Sequence, residues 1–223
     1  VRTTILTGLL FCVGLIQAGF FLWQLLLMRR TVGDTNIAAT AAKESANAAK
    51  QTVATMKETA ERQLRAYVFL QRFQWTSHIS EERDHSWWGV TPIWENSGQT
   101  PTRQLAININ SSLRDDPLPH DFTFPPATNE YNTPVVLGPK GVTSGSVVRI
   151  SSADLLSVKK GEKYFYVWGW AKYRDVFSDT PPRITKFCDH ILFAGDPFKR
   201  ISNENICEMS FGHHPKYNYA DDE

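Results

Sequence analysis

The chain has 223 residues, of which 24 are basic and 23 acidic, so its formal net charge is only +1. This balance creates no overall field that favours nucleic acid or an acidic substrate, and we predict no nucleic-acid partner. With only three cysteines, the chain can form at most one intramolecular disulfide, so its fold does not depend on a disulfide framework. Apart from the helical region at the start, about 150 residues remain, enough for one compact domain with its own core.

The chain opens with an uncharged apolar segment from Ile5 to Met28, which is closed by Arg29 and Arg30. A helix that rises about 1.5 Å per residue would extend roughly 36 Å here, and the hydrocarbon core of a bilayer is about 30 Å thick. We therefore predict a transmembrane helix over residues 1–30. The alternatives are a signal peptide cleaved near Ala18 and a buried soluble helix, but the apolar run continues well beyond Ala18.

The basic residues beside this segment predict which side of the membrane the rest of the chain occupies. Arg2 precedes the span, whereas Arg29, Arg30 and Lys43 follow it. The positive-inside rule therefore favours the cytoplasmic side for the remainder of the chain. Because the leading segment is short, the count is small, and the opposite orientation stays open.

Residues 31–66 are predicted to form a helical stalk, since this region is rich in Ala, Lys, Glu and Gln. Small or apolar residues recur there at alternating spacings of three and four, the 3.5-residue period of a heptad seam. The seam residues are Ala39, Ala42, Ala46, Ala49, Val53 and Met56. Because most are alanine, two helices would approach closely but bury little apolar area. A solvated spacer helix is the alternative, and Gly33 beside Asp34 predicts a break or kink.

The same frame extends back into the apolar segment, where Gly14 and Ala18 form a small-xxx-small pair. This spacing lets helices touch in lipid. It predicts, besides membrane lipid, contact with other transmembrane helices, either those of a larger membrane complex or those of a second copy of this chain.

From Tyr67 the pattern changes to strands, helical turns and loops. The residues predict strands at Tyr67–Trp75, Trp87–Trp94, Leu105–Ile109, Val135–Leu137, Val147–Ile150, Tyr164–Tyr173 and Arg183–Phe193. Pro92 indicates an edge strand or a bulge, and Ser151 with Asp154 predicts a capped helical turn. The alternation of Asn108 and Asn110 with apolar residues predicts a strand with one solvent-exposed face.

The predicted fold is an N-terminal transmembrane helix continuing into a stalk, followed by an all-β, immunoglobulin-like antiparallel sandwich. The sandwich covers residues 67–211, with residues 115–134 as a long loop and 212–223 as a solvated C-terminal tail. A small barrel is the competing architecture.

Several motifs carry a resemblance to a known group of proteins. They are Arg62-Gln63-Leu64-Arg65-Ala66-Tyr67-Val68, Asn96-x-Gly98-x-Thr100-Pro101, Tyr166-x-Trp168-Gly169-x-Ala171-x-Tyr173-x-Asp175-x-Phe177 and Phe187-Cys188. With them the chain resembles a family of uncharacterised bacterial membrane-anchored proteins, best represented in alphaproteobacteria. The resemblance implies the anchor, stalk and sandwich architecture and a bacterial origin. From this origin together with the predicted span, we expect the chain in the bacterial inner membrane. The resemblance implies no activity and no functional residues.

Standard catalytic signatures are absent from the sequence: it has no Gly-x-Ser-x-Gly elbow, phosphate-binding loop, Gly-x-Gly-x-x-Gly or His-Glu-x-x-His. We therefore predict a non-catalytic protein without a cofactor. Its predicted role is that of an accessory or scaffolding subunit of a membrane complex or a homo-oligomer.

The alternative function is a membrane-tethered domain that senses a ligand or a metal. Its candidate ligands are Cys188, His190, Cys207 and His213, whose sulfur and imidazole donors suit zinc or copper. A disulfide between Cys188 and Cys207 and unpaired structural residues are the competing hypotheses. The tryptophans of the β region are assigned to core or interface packing rather than to ligand stacking.

Overall fold

The computed structural model describes residues 2–119, 121–124, 134–178, 180–199, 207–215 and 217–220. It divides into two compact units, Val1–Ala60 and Glu61–Glu223. The first consists of a long helix, and the second contains the sheets.

Helix α1 runs without interruption from Arg2 to Leu64. The predicted break at Gly33 is therefore wrong. A glycine inside a helix costs only about 1 kcal/mol relative to alanine, which the surrounding helix-forming residues offset. Beside it, the hydroxyl groups of Thr31 and Thr35 donate to carbonyl oxygens four residues earlier, at 3.0 and 2.6 Å.

Nine strands are defined within the described residues, and all pairings are antiparallel. They are β1 (Val68–His78), β2 (Trp87–Asn96), β3 (Arg103–Arg114), β4 (Val142–Ser144), β5 (Val148–Ser151), β6 (Tyr164–Arg174), β7 (Arg183–Ala194), β8 (Glu208–His213) and β9 (Tyr219–Ala220). The first sheet has the order β1-β2-β4, with β5 also on β2; the second has the order β3-β6-β7-β8, with β9 also on β7. A helix plus a β-sandwich is thus confirmed.

Aromatic side chains join the two sheets. Phe187 of β7 meets Phe73 of β1 and Trp94 of β2 edge-on, with ring centroids 5.5 and 5.6 Å apart. Trp88 meets Phe193 in the same way at 5.3 Å. These large rings fill the space between the sheets and explain why so many aromatic residues are needed.

Pro92 predicted an edge strand or a bulge: the edge strand is wrong, and the irregularity nearest Pro92 is a register shift in the partner strand between Leu70 and Arg72. Strand β2 pairs with β1 on one side and with β5 and β4 on the other. Pro92 lies opposite the gap between β5 and β4, and its carbonyl accepts a hydrogen bond from Gly145 N at 2.9 Å. Because the N and C=O of one residue point to the same side of an antiparallel strand, the missing N–H of Pro92 faces this gap.

Helix α2 (Ser152–Lys159) confirms the predicted capped turn and extends it to eight residues. The Ser151 hydroxyl accepts a hydrogen bond from Asp154 N at 3.0 Å, which is the expected N-cap. Strand β4 was not predicted, because Val142–Ser144 is too short to show a period.

Asn96 is completely buried and holds the corner between β2 and β3. Its Oδ1 accepts from the backbone N–H groups of Tyr67 and Gly98, both at 3.0 Å. Its Nδ2 donates to the carbonyl oxygens of Thr100, Leu137 and Gly138 at 2.8, 3.3 and 3.1 Å. The Asn-x-Gly-x-Thr motif is therefore structural, since Asn96 ties its own turn to Tyr67 and to Leu137–Gly138.

Candidate functional site

Helix α1 presents an apolar surface that nothing in the described chain covers. Between Cys12 and Leu64 it contains a segment long and apolar enough to cross a membrane, and none of that segment is buried. From Val13 to Met28 its large apolar side chains are between 47% exposed at Val13 and 72% exposed at Ile16. In water this surface would carry a substantial hydrophobic penalty, about 25 cal/mol per Å².

The predicted packing residues all lie on this helix. Gly14, Ala18, Ala39, Ala42, Ala46, Ala49, Val53 and Met56 are helical and exposed. A Cβ added at Gly14 would meet nothing within 4 Å. No described residue covers the seam, and its packing against another helix stays a prediction.

The predicted metal site is not formed. Cys207 belongs to the core between the sheets, whereas Cys188 belongs to a second cluster with Leu118, Tyr166 and Trp168. Both thiols are free, so no disulfide joins them. Nowhere in the described residues do three or more His, Cys, Asp or Glu side chains come together as metal ligands. Sequence proximity was misleading, because burial in two separate apolar clusters holds the thiols apart.

The two predicted histidines are used separately. His190 Nδ1 lies 2.8 Å from the carbonyl oxygen of Gly212. A Cβ on Gly212 would come within 1.9 Å of the His190 ring, so an alanine at this position would require the imidazole to move. His213 Nδ1 lies 2.6 Å from Asp189 Oδ1.

The pair formed by Asp189 and His213 combines a buried acid with an exposed imidazole. Their side chains are 2% and 78% exposed, respectively. Burial raises the pKa of Asp189, and the hydrogen bond from His213 and its charge oppose that rise. Burial also raises the pKa of the Cys188 thiol to about 12, aided by the negative charge of Asp189, so this thiol is not a nucleophile at neutral pH.

Sequence reasoning missed Asp189. It lies between Cys188 and His190 on β7, and alternation along a strand sends its side chain to the opposite face. The only signal in the sequence was an acidic residue in the middle of the predicted strand Arg183–Phe193.

The outer face of the second sheet is buried beneath other segments of the chain, whereas the sequence predicted a solvent-exposed face. Asn108 is buried there. Tyr166 and Trp168 pack against the segment that contains Leu118, Phe122 and Phe124. The Tyr166 hydroxyl accepts from Leu118 N at 3.0 Å.

The predicted solvated tail also packs on this face, as far as Ala220; residues 221–223 lie outside the described residues. Tyr217 stacks on Phe124 with centroids 3.8 Å apart. Asn218 accepts from Cys188 N at 3.1 Å and donates to Cys188 O at 2.9 Å, so its side chain replaces a strand partner. Residues 212–215 and 217–220 therefore belong to the β-sandwich, because these polar and aromatic contacts hold them on β7.

Comparisons with known proteins identify no relative. No protein-family profile and no curated protein matches this chain. A solved structure described as "Crystal structure of protein from Archaeoglobus fulgidus" aligns with 54% of this chain and 95% of its own, at 11% identity and a TM-score of 0.24. A TM-score this low carries no argument about fold or function. The resemblance to alphaproteobacterial membrane-anchored proteins stays a prediction.

Proposed function

We propose that this chain is a non-catalytic, single-pass membrane protein of the bacterial inner membrane. Helix α1 crosses the bilayer, and the β-sandwich is an interaction module on the cytoplasmic side. The protein acts as an accessory or scaffolding subunit of a membrane complex or of a homo-oligomer.

The observation that carries this proposal is the exposed apolar surface of α1. Every described side chain between Cys12 and Ala60 is exposed, and the stretch from Cys12 to Met28 contains no charge. Such a helix satisfies its own backbone hydrogen bonds, which is the requirement for crossing lipid. A bilayer would cover the side chains that the rest of the chain leaves bare.

We assign the sandwich to the immunoglobulin-like type. The order β1-β2-β5 in one sheet and β3-β6-β7 in the other corresponds to the A-B-E and C-F-G strands of that architecture. Strand β8 extends the second sheet by one strand. This architecture commonly serves in recognition, an analogy that supports an interaction role but does not establish one.

Membrane anchoring is tested by washing membranes from expressing cells with alkaline carbonate. The native chain is expected to stay in the pellet. Arginine at Val13 and Ile16, near the middle of the apolar segment, costs about 3 kcal/mol per residue at the centre of a bilayer and should release the chain or prevent its insertion. The same change at Ala38 and Ala41, in the exposed stalk, is the matched control and should leave the chain in the pellet. Extraction of the native chain by carbonate would contradict anchoring.

The accessory role is tested through the helix seam. Gly14→Leu with Ala18→Leu fills the small-residue line, and Gly8→Leu with Gly19→Leu adds comparable bulk about 100° around the helix. Mild-detergent capture followed by mass spectrometry and cross-linking should lose partners or copies only with the first variant. Equal capture by all three proteins would refute seam-driven packing.

The stalk provides an independent test. Ala42→Glu with Ala49→Glu places charges on the seam, whereas Ala41→Glu with Ala48→Glu places them beside it at the same spacing. Only the first pair should weaken association. If both pairs behave alike, the polar half of α1 is a solvated spacer.

A further inference from the structure

A cavity of about 260 Å³ lies where strands β3 and β6 end together. It is lined by Gln104, Ala106, Lys172, Tyr173, Arg174 and Pro182. None of these lining residues is acidic. The cavity is remote in sequence from the seam of α1, and the proposed anchoring does not use it.

An irregular backbone forms one side of this cavity. The register of β3 against β6 shifts between Arg103 and Ala106, so β3 carries one extra residue there. Gln104 has a φ of 53°, in the left-handed region that costs a non-glycine residue about 1–2 kcal/mol. Bulges of this kind often occur next to functional sites, where they redirect side chains.

Three cationic side chains converge at the bulge. Arg103 lies directly opposite Arg174 in the β3–β6 register, and Lys172 lies two residues from Arg174 on the same face. Like charges directly opposite each other destabilise a sheet. Within the described residues, none of the three belongs to an ion pair. The fold therefore places three positive charges close together, and no carboxylate of the described residues forms an ion pair with them.

We propose that this cavity binds a phosphate group, either of a small phosphorylated molecule or of a lipid headgroup. The guanidinium group of Arg174, which lines the cavity, offers a planar pair of N–H donors that matches phosphate oxygens. Lys172 adds a second positive charge to the lining, and Arg103, directly opposite Arg174 in the register, adds a third beside it. A phosphate monoester carries close to two negative charges at neutral pH and neutralises this cluster better than a single carboxylate does. The 260 Å³ cavity has room for the phosphate and the first atoms of its substituent.

Three variants test the cluster. Arg174→Gln and Lys172→Gln each remove one positive charge from the cavity lining, and Arg103→Gln removes the charge opposite Arg174. Arg72→Gln is the matched control, because Arg72 is an exposed arginine on β1 in the other sheet. All four positions are exposed, so the variants are expected to fold. Near-ultraviolet circular dichroism checks each one, and a variant that fails is replaced by another of the set.

Binding is measured on the full chain in phosphatidylcholine nanodiscs. In one arm, inorganic phosphate and glycerol 3-phosphate are titrated against chloride at equal ionic strength. In the other, part of the phosphatidylcholine is replaced by phosphatidic acid and thermal stability is followed. In at least one arm, Arg174→Gln should weaken binding or abolish the stabilisation, with an affinity loss of roughly tenfold to a hundredfold for a charge-assisted bond. Arg72→Gln should behave like the native chain.

Binding of inorganic phosphate or glycerol 3-phosphate would indicate a small phosphorylated ligand, and stabilisation by phosphatidic acid would indicate a lipid headgroup. Either result supports the proposal. It is overturned if neither arm responds, if chloride reproduces the effect, or if Arg72→Gln loses as much binding as Arg174→Gln. Carbonate extraction of the same variants should be unchanged, so failure here is distinguishable from failure of the membrane anchor.

Discussion

Replacing Asn96 with aspartate tests whether the β2–β3 corner depends on one buried amide. The substitution keeps the oxygen that accepts from Tyr67 N and Gly98 N, but it removes the donor that serves Thr100 O, Leu137 O and Gly138 O. At neutral pH it also places a buried carboxylate against these carbonyl oxygens. The shape of the side chain is preserved, so the effect isolates hydrogen bonding and charge.

The expected cost at pH 7 is roughly 3–5 kcal/mol. Nδ2 has two hydrogens, so about two hydrogen bonds are lost at about 1 kcal/mol each. The remainder comes from the buried, unpaired charge. This is a large part of the 5–15 kcal/mol that stabilises a typical domain.

Acidification should reverse part of this loss. The carbonyl oxygens and burial raise the pKa of the new carboxyl in the folded state, so the folded state binds a proton that the unfolded state releases. The deficit relative to the native chain should therefore shrink as the pH falls from 7 to about 4.5. Urea unfolding of the full chain in detergent, followed by tryptophan fluorescence at both pH values, measures it.

Gln74→Glu is the control, since it makes the same amide-to-acid change at an exposed position of β1. It should change the unfolding free energy by less than about 0.5 kcal/mol. An Asn96→Asp variant within 1 kcal/mol of the native chain at pH 7, or equally unstable at both pH values, would refute the assigned role of Asn96.

Three further changes test other contacts. Gly98→Ala should destabilise the sandwich by more than about 2 kcal/mol in the same urea assay, because the new Cβ would lie 2.2 Å from the carbonyl oxygen of Arg65. Gly138→Ala is the control and should be tolerated, because a Cβ there would meet no atom within 4 Å. Asp189→Asn should gain stability relative to the native chain as pH rises above about 4, since the raised pKa of Asp189 makes its ionised form a cost to the folded state. The Cys188 thiol, with a pKa of about 12, should resist alkylation at pH 8 until urea unfolds the chain, as followed by mass spectrometry.

Each of these predictions has a contradicting result. Equal unfolding of the two glycine variants would mean that the chain before β1 does not approach Gly98. Parallel stability curves for Asp189→Asn and the native chain between pH 4 and 7 would mean that the acid is not buried when folded. Rapid alkylation of Cys188 in the folded protein would place it at the surface.

Local sequence patterns were sufficient to predict most elements of the fold. The strand-forming aromatic run Tyr164–Tyr173 predicted β6, and the Ser151–Asp154 spacing predicted the start of α2, because these signals lie within one element. The packing role assigned to the aromatic residues is confirmed for those that join the sheets. The metal site failed because it was inferred from residues close in sequence, whereas burial in separate clusters keeps Cys188 and Cys207 apart.

The sequence by itself determined that a long apolar helix precedes a β-rich domain, since helix length and strand alternation are properties of consecutive residues. Only the tertiary structure decided that β2 lies inside its sheet, that Asp189 is buried, and that Asn218 completes β7. It also decided that Arg103 faces Arg174 across seventy intervening positions of chain. These outcomes depend on which distant strands pair and which face each side chain meets, and no local pattern encodes that choice.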